Sequence, residues 1–118
     1  MRPIKFRAKE KETNMWVYGQ LYNYGIKDDI ESCAIIDEKF TVHSVYSDSV
    51  QQFTGLCDIE GKDIYEGDII YDEAINCTTL VYYTNGAFVV DLGNMTTFLT
   101  NVYTTMKVVG NDYDTIYE

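Results

Sequence analysis

A mainly β protein, with an antiparallel N-terminal sheet joined to a small C-terminal barrel, is the fold class this sequence predicts. Three observations carry that prediction. Eleven Tyr stand among many Val, Ile and Thr with a single Pro, a composition that suits half-buried pleated strands. Apolar and basic residues alternate with period two in Ile4-Lys5-Phe6-Arg7-Ala8, the mark of a strand with one buried face. Turn signals punctuate the rest at close spacing, and the clearest is Asn85-Gly86 between two β-rich runs.

The elements follow in order. In the first strand Ile4, Phe6 and Ala8 should enter the core, which sends Lys5 and Arg7 to the other side. A polar turn over 9–14 leads to a second strand over 15–22. There Met15, Val17 and Leu21 share one face, and Trp16, Tyr18 and Tyr22 the other; neither face is polar, so both need cover. Residues 23–31, with Gly25 and Asp28-Asp29, read as a loop. Short strands over 33–36 and 40–43 flank Asp37-Glu38-Lys39. Ser47 to Gln52 can start a helical turn capped by Ser47 or Asp48. Residues 58–63 form a turn in which Gly61 supplies positive φ, and Glu66-Gly67-Asp68 is a tight bend before a strand. The sharpest local expectation is a hairpin pairing 79–84 with 87–92 around Asn85-Gly86. Residues 98–99 and 106–109 supply the last strands, Gly110-Asn111-Asp112 ends the order, and the tail over 113–118 is loose or docked by Ile116 and Tyr117. The division falls into an N-terminal region, 1–46, and a C-terminal region, 47–118, whose short strands read as a small SH3-like barrel.

Several functions are disfavoured. The chain has 118 residues, 46% of them hydrophobic and 24% charged, so global disorder is not expected. No apolar run approaches the roughly 18 residues of a membrane helix, and the N-terminus passes straight into alternation without the apolar stretch of a signal peptide. A cytoplasmic protein that does not span a membrane is therefore expected. Cys33, Cys57 and Cys77 show no C-x-x-C spacing, which points to reduced thiols rather than a zinc or redox site. His43 is the only histidine, so any nucleophile–histidine arrangement would have to use it. No nucleotide-binding, metalloprotease or hydrolase motif occurs. The expectation is a protein without catalytic residues, metal or cofactor. The net charge is −10, which argues against non-specific DNA binding. Five of the nine basic residues nevertheless fall in the first eleven positions.

Three stretches resemble the YopX family. Ile4-Lys5-Phe6-Arg7-Ala8 is similar to its opening. The run from Gln52 to Ile70, through Thr54-Gly55-Leu56, Gly61 and Ile64-Tyr65-Glu66-Gly67-Asp68-Ile69, is similar to its central signature. Val108-Val109-Gly110-Asn111 resembles its close. Lys9-Glu10 and Cys57 depart from the pattern, which has Trp-Asp and commonly Lys there. The resemblance implies a small, mostly β protein of a phage or prophage, chiefly of Gram-positive bacteria. It implies no enzymatic activity, and oligomerisation.

Within the signature, Asp58, Glu60, Asp63, Glu66 and Asp68 could suggest a metal, but the spacing fails the calcium-loop pattern. Thr54, Gly55, Asp58, Gly61, Tyr65, Glu66, Gly67 and Asp68 read as structural instead, with positive φ at two or more of the three glycines. The many Tyr fit a core margin and subunit interface, or a groove that stacks a base. A nucleotide would need cations, and Arg2, Arg7, Lys27 and Lys107 are the candidates, with Tyr18 beside them. Arg7 is expected in an ion pair, or, on the nucleotide reading, in a pocket. Two functions follow. The first is a phage accessory protein that binds a host macromolecule stoichiometrically. The alternative sequesters a nucleotide second messenger of anti-phage defence. A homo-oligomer of even order is expected on either reading.

Overall fold

The structure, a computed structural model, describes residues 3–27, 30–101 and 103–117. It is mainly β with antiparallel sheets and divides into two compact units, 1–53 and 54–118. Among the described residues no helix is long and apolar enough to cross a membrane.

The first unit contains β1 (Phe6–Lys9), β2 (Trp16–Lys27), β3 (Ile30–Ile36), β4 (Val42–Val45), a 3-10 turn (Ser47–Ser49) and the start of β5 (Gln51–Cys57). The strands lie in the order β4-β3-β2-β1-β5. Alternation places Ala8, Cys33, Ile35 and Val45 in one buried cluster, against which Phe6, Val17, Leu21 and Val50 pack; Ile4, expected in the core with Phe6 and Ala8, precedes β1 and is 55% exposed. The sheet curls until β4 meets the end of β1. Tyr46 N donates to Lys9 O, Lys11 N donates to Ser44 O, and Glu10 bridges Val45. Gly19, paired with Phe6, sits where a Cβ would lie 2.1 Å from Ile36 O. No larger residue permits that approach.

Four local expectations are corrected here. Residues 23–27 and 30–31 are strand rather than loop, since β2 runs to Lys27 and β3 starts at Ile30; Asp28 and Asp29 lie outside the described residues. Gly25 belongs to a register shift within the β2–β3 ladder, where its N–H donates to Asn23 Oδ1; the glycine marks a bulge rather than a strand end. Phe40 lies in a turn, not a strand, at φ 63°. Met15 is 66% exposed rather than inward, because the chain is still turning there, with Glu10 N donating to Met15 O. The helical turn is limited to Ser47–Ser49 and has no side-chain cap. Ser49 instead accepts from Lys9 N at 2.8 Å and donates to Tyr46 O. That bond, the Arg7–Gln51 pairing and the bond from Phe53 N to Lys5 O tie residues 47–53 to β1, which is why the units divide at Phe53/Thr54.

In the second unit the rest of β5 is followed by β6 (Asp63–Tyr65), β7 (Asp68–Asp72), β8 (Cys77–Leu80), β9 (Tyr82–Thr84), β10 (Ala87–Leu92), β11 (Met95–Phe98), β12 (Met106–Asn111) and helix α1 (Asp112–Tyr117). Two three-stranded sheets, β11-β10-β9 and β12-β7-β8, make a barrel-like arrangement that does not close. Its core is Ile64, Ile70, Val81, Val90, Leu99, Met106 and Val108. The Asn85-Gly86 hairpin forms, with φ 50° and 82°, the positive pair that a primed two-residue turn requires. It is shorter than expected. Val81 leaves the ladder to bond Asp68 O and Gly67 N, so Thr79 pairs with Ile70 of β7 instead. Order does not end at Asn111 either. Asn111 caps α1, accepting from Asp114 N at 2.8 Å and donating to Asp114 Oδ2, while Ile116 is 70% exposed rather than docked.

Substituting Gly19→Ala drives a methyl into the Ile36 carbonyl and is expected to cost about 2 kcal/mol. Urea unfolding checks this, and a midpoint equal to wild type would mean that β2 has room at Gly19.

Candidate functional site

The first unit carries an open groove of about 810 Å³. One wall comes from β1 and β2, with Lys5, Val17, Tyr18 and Gln20; the other is the β3–β4 turn, with Ile36, Asp37, Glu38, Lys39 and Phe40. The turn is rigidly built. Asp37 N donates to Thr41 O and Phe40 N to Asp37 O, each at 3.0 Å. Asp37 Oδ1 accepts from Lys39 N at 2.9 Å and Thr41 N at 3.0 Å. Asp37 Oδ2 meets His43 Nε2 at 2.8 Å, and His43 Nδ1 meets Glu10 Oε2.

The result is an imidazole clamped between two carboxylates. Its bonds to Asp37 and then Glu10 raise the His43 pKa above the ordinary histidine value. Asp37 and Glu10 are both lowered, chiefly by the same bonds to His43. The form these bonds favour is the imidazolium, which can donate an N–H to each carboxylate. The turn it holds displays Phe40 at φ 63° with 87% of its surface exposed. A bulky residue in that region costs on the order of 1–3 kcal/mol and persists only where its surroundings impose it.

The cations at positions 5, 7 and 9 stand over aromatic rings. Lys5 lies 4.6 Å from the Phe53 ring centroid, and Arg7 and Lys9 lie 4.7 and 4.9 Å from that of Trp16. Such cation–π contacts are electrostatic and survive partial burial. Arg7 is 6% exposed, and its Nε and Nη2 both donate to Gln51 Oε1, at 2.9 and 2.7 Å. Gln51 and Trp16 were not foreseen as its partners; period-two alternation in β1, β2 and β5 is the signal that puts all three on one face. Tyr18 pairs with Arg7 across the strands and lines the groove. Lys107 belongs to the second unit, where its Nζ lies 3.1 Å from Glu60 Oε1. Arg2 and the Lys27 side chain lie outside the described residues. Sequence reasoning missed the groove's far wall and its clamp, although an Asp two and four residues before backbone N–H groups is an Asx-turn signal.

The signature residues work as architecture in the second unit. Gly55, Gly61 and Gly67 have φ 87°, 81° and 86°. Thr54 Oγ1 donates to Ile64 O at 2.7 Å and accepts from Leu56 N at 3.2 Å. Asp68 Oδ2 accepts from Tyr65 N at 2.8 Å, inside the core; Tyr65 is itself buried, and Glu66 half-buried beside it. Asp58 takes three backbone donors at 2.9 Å, Glu60 N and Lys62 N on Oδ1 and Val108 N on Oδ2. Burial pushes its carboxyl pKa up, but those bonds outweigh it and hold the pKa below the ordinary value.

A mainly β scaffold of two antiparallel units, with an aromatic groove on the first and glycine–aspartate turns in the second, is the class these features define. The YopX protein family matches over residues 5–116, nearly the whole chain, and the chain belongs to that family. Among curated proteins none matches it.

Two outcomes test this geometry. In Asp58→Asn the Val108 N–H faces an amide donor, so unfolding free energy should fall by about 1–3 kcal/mol; an unchanged urea midpoint would refute the three-donor role. The His43 clamp should act over a bounded pH range. A raised histidine pKa gives stability that is complete below about pH 6.5 and is lost as pH rises through the folded value. Lowered carboxylate pKa values give stability that is complete above about pH 4.5 and lost as pH falls through theirs. The melting-temperature difference between wild type and His43→Gln should therefore be largest between those limits and shrink on both sides. A difference independent of pH would contradict the clamp.

Proposed function

We propose that the chain is a non-enzymatic accessory protein that binds a macromolecular partner stoichiometrically through the aromatic outer face of its N-terminal sheet. The observation that carries this reading is a row of tyrosines along β2. Val17 and Leu21 pack inward, so Tyr18 and Tyr22 alternate outward, and they are 49% and 53% exposed. Tyr24, 62% exposed, joins them after the bulge, its ring 4.6 Å from that of Tyr22 in an edge arrangement. Tyr supplies large contact area at low entropic cost and is enriched where proteins meet. The resemblance to phage and prophage proteins makes the partner a host macromolecule, met in the host cytosol. Both nitrogens of the single imidazole are engaged by carboxylates, which supports binding over acid–base chemistry.

Sequestration of a nucleotide draws less support. Lys5 and Lys39 in the groove are offset by Asp37 and Glu38, His43 is held by the Glu10 and Asp37 carboxylates, and Arg7 bonds Gln51 and stacks on Trp16. A phosphate site needs an excess of cations.

Affinity capture from host lysate, comparing wild type with Tyr22→Glu, tests the reading. The expected result is one protein retained at a fixed ratio by wild type and lost by the variant at unchanged melting temperature. Retention indifferent to Tyr22→Glu, or a thermal shift with cyclic nucleotides or adenosine-diphosphate-ribose compounds instead, would contradict it.

A further inference from the structure

Phe40 and the groove beside it call for one explanation. The Asp37 turn and the His43 clamp hold a bulky side chain at positive φ, and the outcome is a phenyl ring left 87% exposed. Strain combined with exposure serves neither packing nor solubility. The ring stands at the mouth of a groove of about 810 Å³ that it does not fill, walled by the apolar surfaces of Val17, Tyr18 and Ile36. The charges at the groove balance, with Lys5 and Lys39 against Asp37 and Glu38 and with His43 against Glu10. In a chain of net charge −10, a surface of balanced charge is the one that a second copy can approach without repulsion.

We propose that Phe40 and the groove are the two halves of one self-complementary surface, which takes a second copy of this chain about a twofold axis. Each Phe40 ring enters the other copy's groove against Tyr18 and Ile36, and Lys39 of each copy faces Glu38 of the other. A twofold contact uses the same patch on both subunits, so a protruding anchor beside its own receptor is the arrangement it requires. The clamp acts as a positioning device, because it fixes the turn before association and removes the cost of ordering it. The two readings share Tyr18 and are told apart by Tyr22→Glu, which leaves Phe40 and the groove walls intact and should leave self-association unchanged.

Sedimentation equilibrium on the full chain tests it. Wild type should sediment as an even-order oligomer at concentrations up to about 100 µM. Phe40→Gly accommodates positive φ without strain, so its unfolding midpoint at sub-micromolar concentration should equal or exceed wild type, while its dissociation constant rises at least about 100-fold. Glu38→Lys and Lys39→Glu should each weaken association about tenfold, and the double variant should recover to within about threefold of wild type. A wild type that stays monomeric at about 100 µM overturns the proposal, leaving the groove to a partner of another kind. So does a Phe40→Gly protein that associates as tightly as wild type, or a double charge variant no better than the singles.

Discussion

The twelve strands among the described residues impose one constraint on everything else: each turn between them leaves backbone N–H groups with no ladder partner, and a buried N–H left unpaired is expensive. This chain meets the constraint with aspartate. Asp37 takes the N–H groups of Lys39 and Thr41. Asp58 takes those of Glu60, Lys62 and Val108, joining the signature turn to a strand fifty residues away. Asp68 takes Tyr65 N. Asp72 takes Ala74 N and the Thr105 hydroxyl. A carboxylate accepts more than one donor, so a single side chain closes a turn and fastens it to its neighbour.

The acidity of the chain acquires a different meaning in that light. Residues 54–118 hold eleven acidic and two basic side chains. Three of those carboxylates, Asp58, Asp68 and Asp72, are buried and spent on backbone donors, so part of the charge is a by-product of folding rather than a surface aimed at a basic partner. In the first unit the same chemistry is put to positional use. Asp37 builds a turn, His43 and Glu10 brace it, and the braced turn forms one wall of the groove and presents Phe40. Lys5, Arg7 and Lys9 are seated on Phe53 and Trp16, which makes the sheet face that bears Tyr18 a firm aromatic and basic layer.

Much of this was legible in the sequence, for identifiable reasons. Alternation in 4–8 gave the inward set of Phe6 and Ala8, and Asn85-Gly86 gave its turn, because both are local properties of the backbone. The signature glycines announced positive φ. What failed was decided by contacts distant in sequence. Gly25 looked like a strand end because a bulge and a turn share the same residue preference. Thr79 left the predicted hairpin because Val81 is claimed by Asp68 and Gly67. The groove was invisible because Tyr18 and Phe40 come to line one site only once Gly19 lets Ile36 approach. Gln51 and Trp16 were not foreseen beside Arg7 because sheet register alone brings them to it.

The central claim is that Asp37 and Asp58 are ionised structural acceptors, and direct titration of their side-chain carboxyl carbons by NMR tests it most closely. The account expects Asp37 and Asp58 to titrate with midpoints below the ordinary aspartate value of 3.8. The backbone N–H resonances of Lys39, Thr41 and Val108 should shift at those same midpoints, since each loses its acceptor when the carboxylate takes a proton. Ordinary midpoints for both aspartates, with those amides indifferent to the titration, would contradict it.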